Sequence, residues 1–372
     1  MMPLHYELDG PAAGVPLILG PSLGTSLHLW DGVLDRLAAT RRVLRFDLPG
    51  HGRSPAGPGA ANTVALAGLV LELADREGFD RFHYAGVSLG GAIGARLALD
   101  HPGRVASLAM ICSAARFGEP AGWKERAALV REQGTGPLLV PAAGRWFAGE
   151  PRTRLLDDLA AADAESYAAC CDALAEYDVR DRLGDIAAPA LIVAGRADPA
   201  TPPAYARELA DGIPGATLVE IPHAAHLAPA DRPDAVAAAL LAHLGEPDRR
   251  TAGTAVRRAV LGDAHVDRAV ARTTAFTADF QDFITRYAWG EIWTRPGLDR
   301  RTRSCVTLTA LTALGHHDEL ALHVRAALTN GLGTDEIKEV LLQAAVYCGV
   351  PAANSAFAVA QRVLDEISRG NP

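Results

Sequence analysis

Lysine is nearly missing from this chain of 372 residues: Lys124 and Lys338 are the only two, and arginine carries almost all the positive charge. That imbalance fits a GC-rich coding sequence better than an anion-binding surface. No basic stripe interrupts a formal net charge of −8, which argues against a nucleic-acid partner. No apolar run is long enough to span a bilayer, so no membrane association is expected. The N-terminal MMPLHYELDG lacks the basic start, apolar stretch and cleavage site of a secretory signal, and a cytoplasmic location is expected. The five cysteines form no Cys-x-x-Cys pair and no zinc spacing, which predicts buried reduced thiols and no metal.

The length makes two domains the default expectation, and the sequence changes character along it. Through residue 245, short apolar runs alternate with helix-like stretches, the pattern of a mainly parallel sheet covered by helices. Expected core strands are Val15–Leu19, Val43–Phe46, Phe82–Ala85, Val105–Ile111, Ala190–Ala194 and Thr217–Ile221. Between about 115 and 185 strands are absent and Ala, Leu, Arg and Trp recur at helical spacing, which predicts a helical cap. Residues 246–253 (EPDRRTAG) are polar and aperiodic and are expected to be a linker. Residues 254–372 are expected to be all-helical, with Thr334 as an N-cap and Asn330-Gly331 closing the preceding helix.

The segment FHYAGVSLGG runs a short strand into Gly86-Val87-Ser88-Leu89-Gly90 and then into an Ala- and Leu-rich helix. A Gly-x-Ser-x-Gly turn between strand and helix is a nucleophile elbow, which lifts a serine hydroxyl clear of the backbone. Such a serine needs a base and an orienting acid later in the chain, in the order Ser, Asp, His. Asp198 follows the buried run ALIVAG. His226 follows the last strand in IPHAAHLAP, with His223 as the competing imidazole. Oxyanion donors would be the backbone N–H groups of Leu89, next to the nucleophile, and Leu23, in the early loop GPSLGT. Asp47 in DLPGHGRS is expected to order a turn.

Together SLGT with the following Trp30, DLPGHGRS, GVSLGG and Arg145-Trp146-Phe147 make residues 1–245 resemble the 3-oxoadipate enol-lactonases. That resemblance implies an α/β-hydrolase fold with a helical cap and makes Arg145 and Trp146 substrate-binding residues. Trp146 could equally be cap core.

FQDFITRYAWGEIWTRPGLDRRTRS, LTALGHHDELALHVRAALTNG and EVLLQAAVYCGVPAANSAF make the rest of the chain resemble the 4-carboxymuconolactone decarboxylases. The implied fold is the all-α carboxymuconolactone decarboxylase/alkylhydroperoxidase-like type. The peroxidase register Cys-x-x-Cys-x-x-x-His is occupied by His316, Glu319 and His323, so disulfide chemistry is excluded. Glu319 and His323 share one helix face. Alone they would read as a solvated pair. With the resemblance His323 becomes the general acid, Glu319 its orienting or tuning partner, and Arg303 and His316 substrate-binding residues. The conjugated lactone can accept the electrons left by decarboxylation, so no cofactor is implied.

The two implied reactions are consecutive, which predicts a bifunctional enzyme acting on small lactone carboxylates. A homo-oligomer assembled through the C-terminal domain is expected. The competing expectation is a general serine esterase carrying a non-catalytic helical oligomerisation domain.

Overall fold

The computed structural model describes residues 4–11, 14–57, 62–245, 249–295 and 297–370. The chain divides into two compact units, Met1–Pro247 and Asp248–Pro372. None of the described helices is long and apolar enough to cross a membrane.

The first unit is built on a seven-stranded sheet of order β1-β3-β2-β4-β5-β6-β7. The strands are β1 (Tyr6–Asp9), β2 (Leu17–Gly20), β3 (Val43–Phe46), β4 (Phe82–Val87), β5 (Val105–Ile111), β6 (Ala190–Gly195) and β7 (Thr217–Ile221). All neighbours are parallel except β1, which pairs antiparallel with β3. The inner strands are buried on both faces, as a parallel sheet between helical layers requires, and so read as unbroken apolar runs. The N-terminal edge strand β1 was not expected, because YELD is short and half charged and gains its place only by pairing with β3.

The helices around this sheet are α1 (Asp31–Ala38), α2 (Thr63–Arg76), α3 (Leu89–Asp100), α4 (Pro120–Gln133), α5 (Leu139–Trp146), α6 (Thr153–Ala161), α7 (Ala164–Glu176), α8 (Pro203–Gly212), α9 (Ala228–Asp231) and α10 (Pro233–Leu244). Helices α4 to α7 form the expected cap between β5 and β6. A bridge between Arg116 and Asp178 closes its base. Ser26 Oγ donates to Asp158 Oδ2 at 2.6 Å and the Asp163 N–H to the Gly50 carbonyl at 2.8 Å, tying the cap to core loops.

After β2 the chain moves to one side of the sheet to make β3, and then crosses to the other side of β2 to make β4. The carboxyl ends of β2 and β4 therefore flank a topological switch point, where an open α/β sheet leaves a crevice.

The second unit comprises α11 (Arg249–Leu261), α12 (Asp263–Ala271), α13 (Ala278–Ile284), a π-helix over Thr285–Ile292, α14 (Arg300–Leu314), α15 (His317–Thr329), α16 (Thr334–Cys348) and α17 (Val350–Ser368). Leu308, Leu320, Val324, Leu341 and Ala356 form its main core. The expected linker, residues 246–253, is not described as a whole. Residues 246–248 lie outside the described residues, whereas Arg249–Gly253 are the first turns of α11. The physical reason is packing: a Cβ on Gly253 would lie 2.0 Å from the Thr285 carbonyl oxygen, so this glycine lets α11 cross the π-helix closely. Thr334 is also displaced from its expected role. The N-cap is Gly333, whose N–H donates to the Glu336 carboxylate at 2.8 Å.

Candidate active site

Ser88 sits between β4 and α3 with φ 57° and ψ −115°, a strained conformation for a residue with a side chain. The turn closes because its flanking positions are glycine: a Cβ on Gly86 would come within 2.2 Å of the Gly90 backbone. The Ser88 N–H donates to the Ile111 carbonyl at 2.9 Å, and the Ser113 hydroxyl donates to the Ser88 carbonyl at 2.9 Å. The elbow is thus anchored from β5, and Ser88 lines a pocket beneath the cap.

Asp198 and His226 come together from the turns after β6 and β7. His226 Nδ1 lies 2.9 Å from Asp198 Oδ2, with both residues buried. Asp198 also accepts from the Ala200 N–H (2.8 Å) and Thr201 N–H (3.0 Å) on Oδ1 and from the Thr201 hydroxyl (2.6 Å) on Oδ2. Burial alone would raise the Asp198 carboxyl, but the neighbouring His226 and the hydrogen bonds from His226 and Thr201 outweigh it and hold the group below its ordinary value. His223, the competing imidazole, is exposed at φ 57° and does not line the pocket.

The pocket encloses about 230 Å³ and brings together Ser88, His226, Leu23, Trp146, Arg145 and Arg126. Leu23 follows β2 and Leu89 opens α3, so both flank the switch point. Neither backbone N–H has an acceptor among the described residues. A pair of orphan donors beside a serine suits a developing oxyanion. Trp146 is buried in the cap and also lines the pocket. Its carbonyl accepts from the Leu227 N–H at 2.9 Å, which joins the end of α5 to the loop carrying His226.

Arg126 was missed by sequence reading. It lies on α4, stacks at 4.6 Å over the Trp123 ring and shares the pocket wall with Arg145. Burial, followed by the charge of Arg126, pulls the Arg145 guanidinium below its ordinary value. Neither arginine has a carboxylate partner among the described residues. A signal existed in WKER, where an arginine follows a tryptophan at helical spacing, but only the fold turns that face towards Ser88.

In the helical unit His323 stacks on Trp293, ring centroids 6.5 Å apart, and Trp293 packs on Trp289 at 5.2 Å. Burial first, then His265, lower the His323 imidazole, while the Glu319 charge opposes them. Glu319 and His323 lie one turn apart on α15, with no hydrogen bond or ion pair between them among the described residues. His316 is exposed at the N-cap of α15 and makes no side-chain cap. Arg303, the expected substrate-binding arginine, is engaged by its own loop. Its guanidinium donates to the carbonyls of Leu298 (3.1 Å) and Arg295 (2.9 Å), and so holds the turn before α14. Trp293, which stacks on His323, and His265, whose charge acts on it, were not singled out from the sequence, because α12 and the residue after the π-helix approach α15 only in the folded unit.

Residues 17–239 match the Alpha/beta hydrolase family and residues 278–362 the Carboxymuconolactone decarboxylase family. The 3-oxoadipate enol-lactonase 2 of Acinetobacter baylyi is 37% identical over 239 residues, covering 62% of this chain and 89% of that protein. The 4-carboxymuconolactone decarboxylase of the same organism is 46% identical over 124 residues, covering 33% of this chain and 92% of that protein. The solved enol-lactonase of Burkholderia xenovorans superposes with a TM-score of 0.63 at 36% identity, covering 65% of this chain and 96% of that one. The chain therefore belongs to the alpha/beta hydrolase family through its N-terminal unit and to the carboxymuconolactone decarboxylase family through its C-terminal unit.

Proposed function

We propose that this protein is a bifunctional enzyme of the 3-oxoadipate branch of protocatechuate catabolism. Its helical unit decarboxylates 4-carboxymuconolactone to 3-oxoadipate enol-lactone, and its hydrolase unit opens that lactone to 3-oxoadipate. The observation that carries this reading is the covalent pairing of two families whose named members include catalysts of consecutive steps.

In the hydrolase unit Ser88 attacks the lactone carbonyl while His226 takes its proton, and Asp198 stabilises the resulting imidazolium. The N–H groups of Leu23 and Leu89 receive the oxyanion. Loss of one such donor typically costs about 10²- to 10³-fold in kcat. Collapse of the tetrahedral species breaks the ring C–O bond, and the leaving enol takes the proton from His226. Water, activated by the same imidazole, then releases the acyl group. Arg126 and Arg145 bind the carboxylate of the substrate side chain.

In the helical unit the C–C bond to the departing carboxylate breaks and carbon dioxide leaves. The electron pair enters the conjugated lactone as a dienolate, and His323 supplies the proton that returns to carbon. The unit is expected to self-associate, because Val346, Tyr347 and Val350 leave apolar side chains 73–79% exposed. Incubating the full chain with 4-carboxymuconolactone should release carbon dioxide and yield 3-oxoadipate. Failure to release carbon dioxide would remove the decarboxylase half of the proposal.

A further inference from the structure

Helices α12, α15 and α17 enclose a cavity of about 550 Å³ in the helical unit. Arg268, Arg325 and Arg362, one from each helix, line it, together with His265. Its acidic residues are already committed. Glu366 pairs with Arg325, and Asp263 pairs with Arg258 at 3.0 Å. Arg268 and Arg362 have no acidic or hydrogen-bonding partner among the described residues. Once the internal pairs are subtracted, two uncompensated guanidiniums face one void from two different helices.

The wall itself adds to that charge. Helix α12 begins at the cavity, and the N–H groups of Asp263, Ala264 and His265 have no acceptor among the described residues. Unsatisfied first-turn donors and the positive end of a nine-residue helix both favour an anion there. A ligand meeting two separated guanidiniums and a helix N-terminus together is best matched by a small molecule with two carboxylates. His265 lines this cavity, and Ala321 and Leu322, also in its lining, immediately precede His323, the proposed proton donor, on α15.

We propose that this cavity is the dicarboxylate seat of the helical unit, with Arg268 and Arg362 as its carboxylate-binding residues and His265 as the imidazole beside the bound lactone. The inference rests on the decarboxylase reading above and locates its substrate away from Arg303. The guanidiniums hold the acid groups in the ground state, so their loss should weaken binding more than it slows bond cleavage.

The test is steady-state decarboxylation of 4-carboxymuconolactone by the full chain, with Arg268→Gln and Arg362→Gln examined singly. Each should raise KM at least about tenfold, the ordinary effect of losing one charge-assisted contact, with a smaller change in kcat. Arg→Lys at either position should restore part of the loss. Hydrolysis of added enol-lactone by the same preparations, and unchanged helical circular dichroism, exclude a folding defect. Wild-type KM in both Gln variants would overturn the location while leaving the decarboxylase reading intact. No carbon dioxide from the wild-type chain would overturn both. A variant that loses helical content is replaced by its Lys counterpart, for which an unchanged KM and unchanged inhibition by glutarate count against the proposal.

Discussion

The Thr201 hydroxyl donates at 2.6 Å to Oδ2 of Asp198, the same oxygen that faces His226 Nδ1 at 2.9 Å. Thr201 Oγ1 is itself 3.3 Å from that ring nitrogen. One carboxylate oxygen thus serves two donors, and the hydroxyl withdraws density that would otherwise stabilise an imidazolium. Thr201 is a positioning residue acting through Asp198. Thr201→Val keeps the shape and removes the donor. The acid limb of the kcat/KM profile for enol-lactone hydrolysis should then move to higher pH by roughly half to one unit, the worth of one neutral hydrogen bond. Thr201→Ser should behave as wild type. A profile that stays in place in Thr201→Val would refute the role.

Arg126 and Arg145 line the pocket with no carboxylate partner among the described residues. Arg126→Ala should raise KM for the enol-lactone by about ten- to a hundredfold. Hydrolysis of an uncharged ester should change far less. Equal losses on charged and uncharged esters would show that Arg126 supports the cap and does not read the substrate.

Three histidines, His51 buried and His83 and His243 half-buried, should make the hydrolase unit acid-sensitive. Burial, with help from Arg41 and His243, pulls His83 down to about 4, and burial also lowers His51 and His243. Each folded imidazole therefore prefers to be neutral, whereas an unfolded one titrates near about 6.5. As pH falls from about 6.5 towards 4 the unfolded chain takes up protons that the folded chain refuses. The stability these groups contribute is complete above about 6.5 and is lost across that window. Hydrogen exchange of β4 and β5 amides, corrected for intrinsic rates, should report falling opening free energies between those limits. His83→Asn should flatten the fall, and an identical slope in that variant would rule out His83 as its source.

His323 is the proposed proton donor of the other reaction. His323→Gln should lower kcat for decarboxylation by about 10²-fold or more, the usual scale for a general acid. Lactone hydrolysis should be unaffected. Retained decarboxylation would move the acid elsewhere, with His265 the first alternative.

The sequence made the hydrolase site legible because its chemistry constrains order and local geometry. Ser88 needs glycines on both sides, and Asp198 and His226 must lie in the turns after successive strands of the sheet. The proposed oxyanion donors Leu23 and Leu89 would contribute only backbone, so their positions could be inferred from loops alone. Arg126, Thr201 and His265 were not legible in this way. None sits in a motif that demands its residue type, and the pocket wall that Arg126 joins and the cavity that His265 lines form only when distant elements pack together. Gly253 misled for a related reason: a glycine in a polar stretch has the composition of a linker, and only the close approach of Thr285 reveals a helix crossing. Arg303 stood among several arginines, and the carbonyls it holds become visible only in the folded turn.

In the proposed function one chain makes and then consumes the same enol-lactone. This is tested most directly by following 4-carboxymuconolactone by NMR with the full-length Ser88→Ala variant. Carbon dioxide should be released at the wild-type rate while 3-oxoadipate enol-lactone accumulates, limited only by its spontaneous hydrolysis. Conversion through to 3-oxoadipate at the wild-type rate, without accumulation of the enol-lactone, would contradict the account.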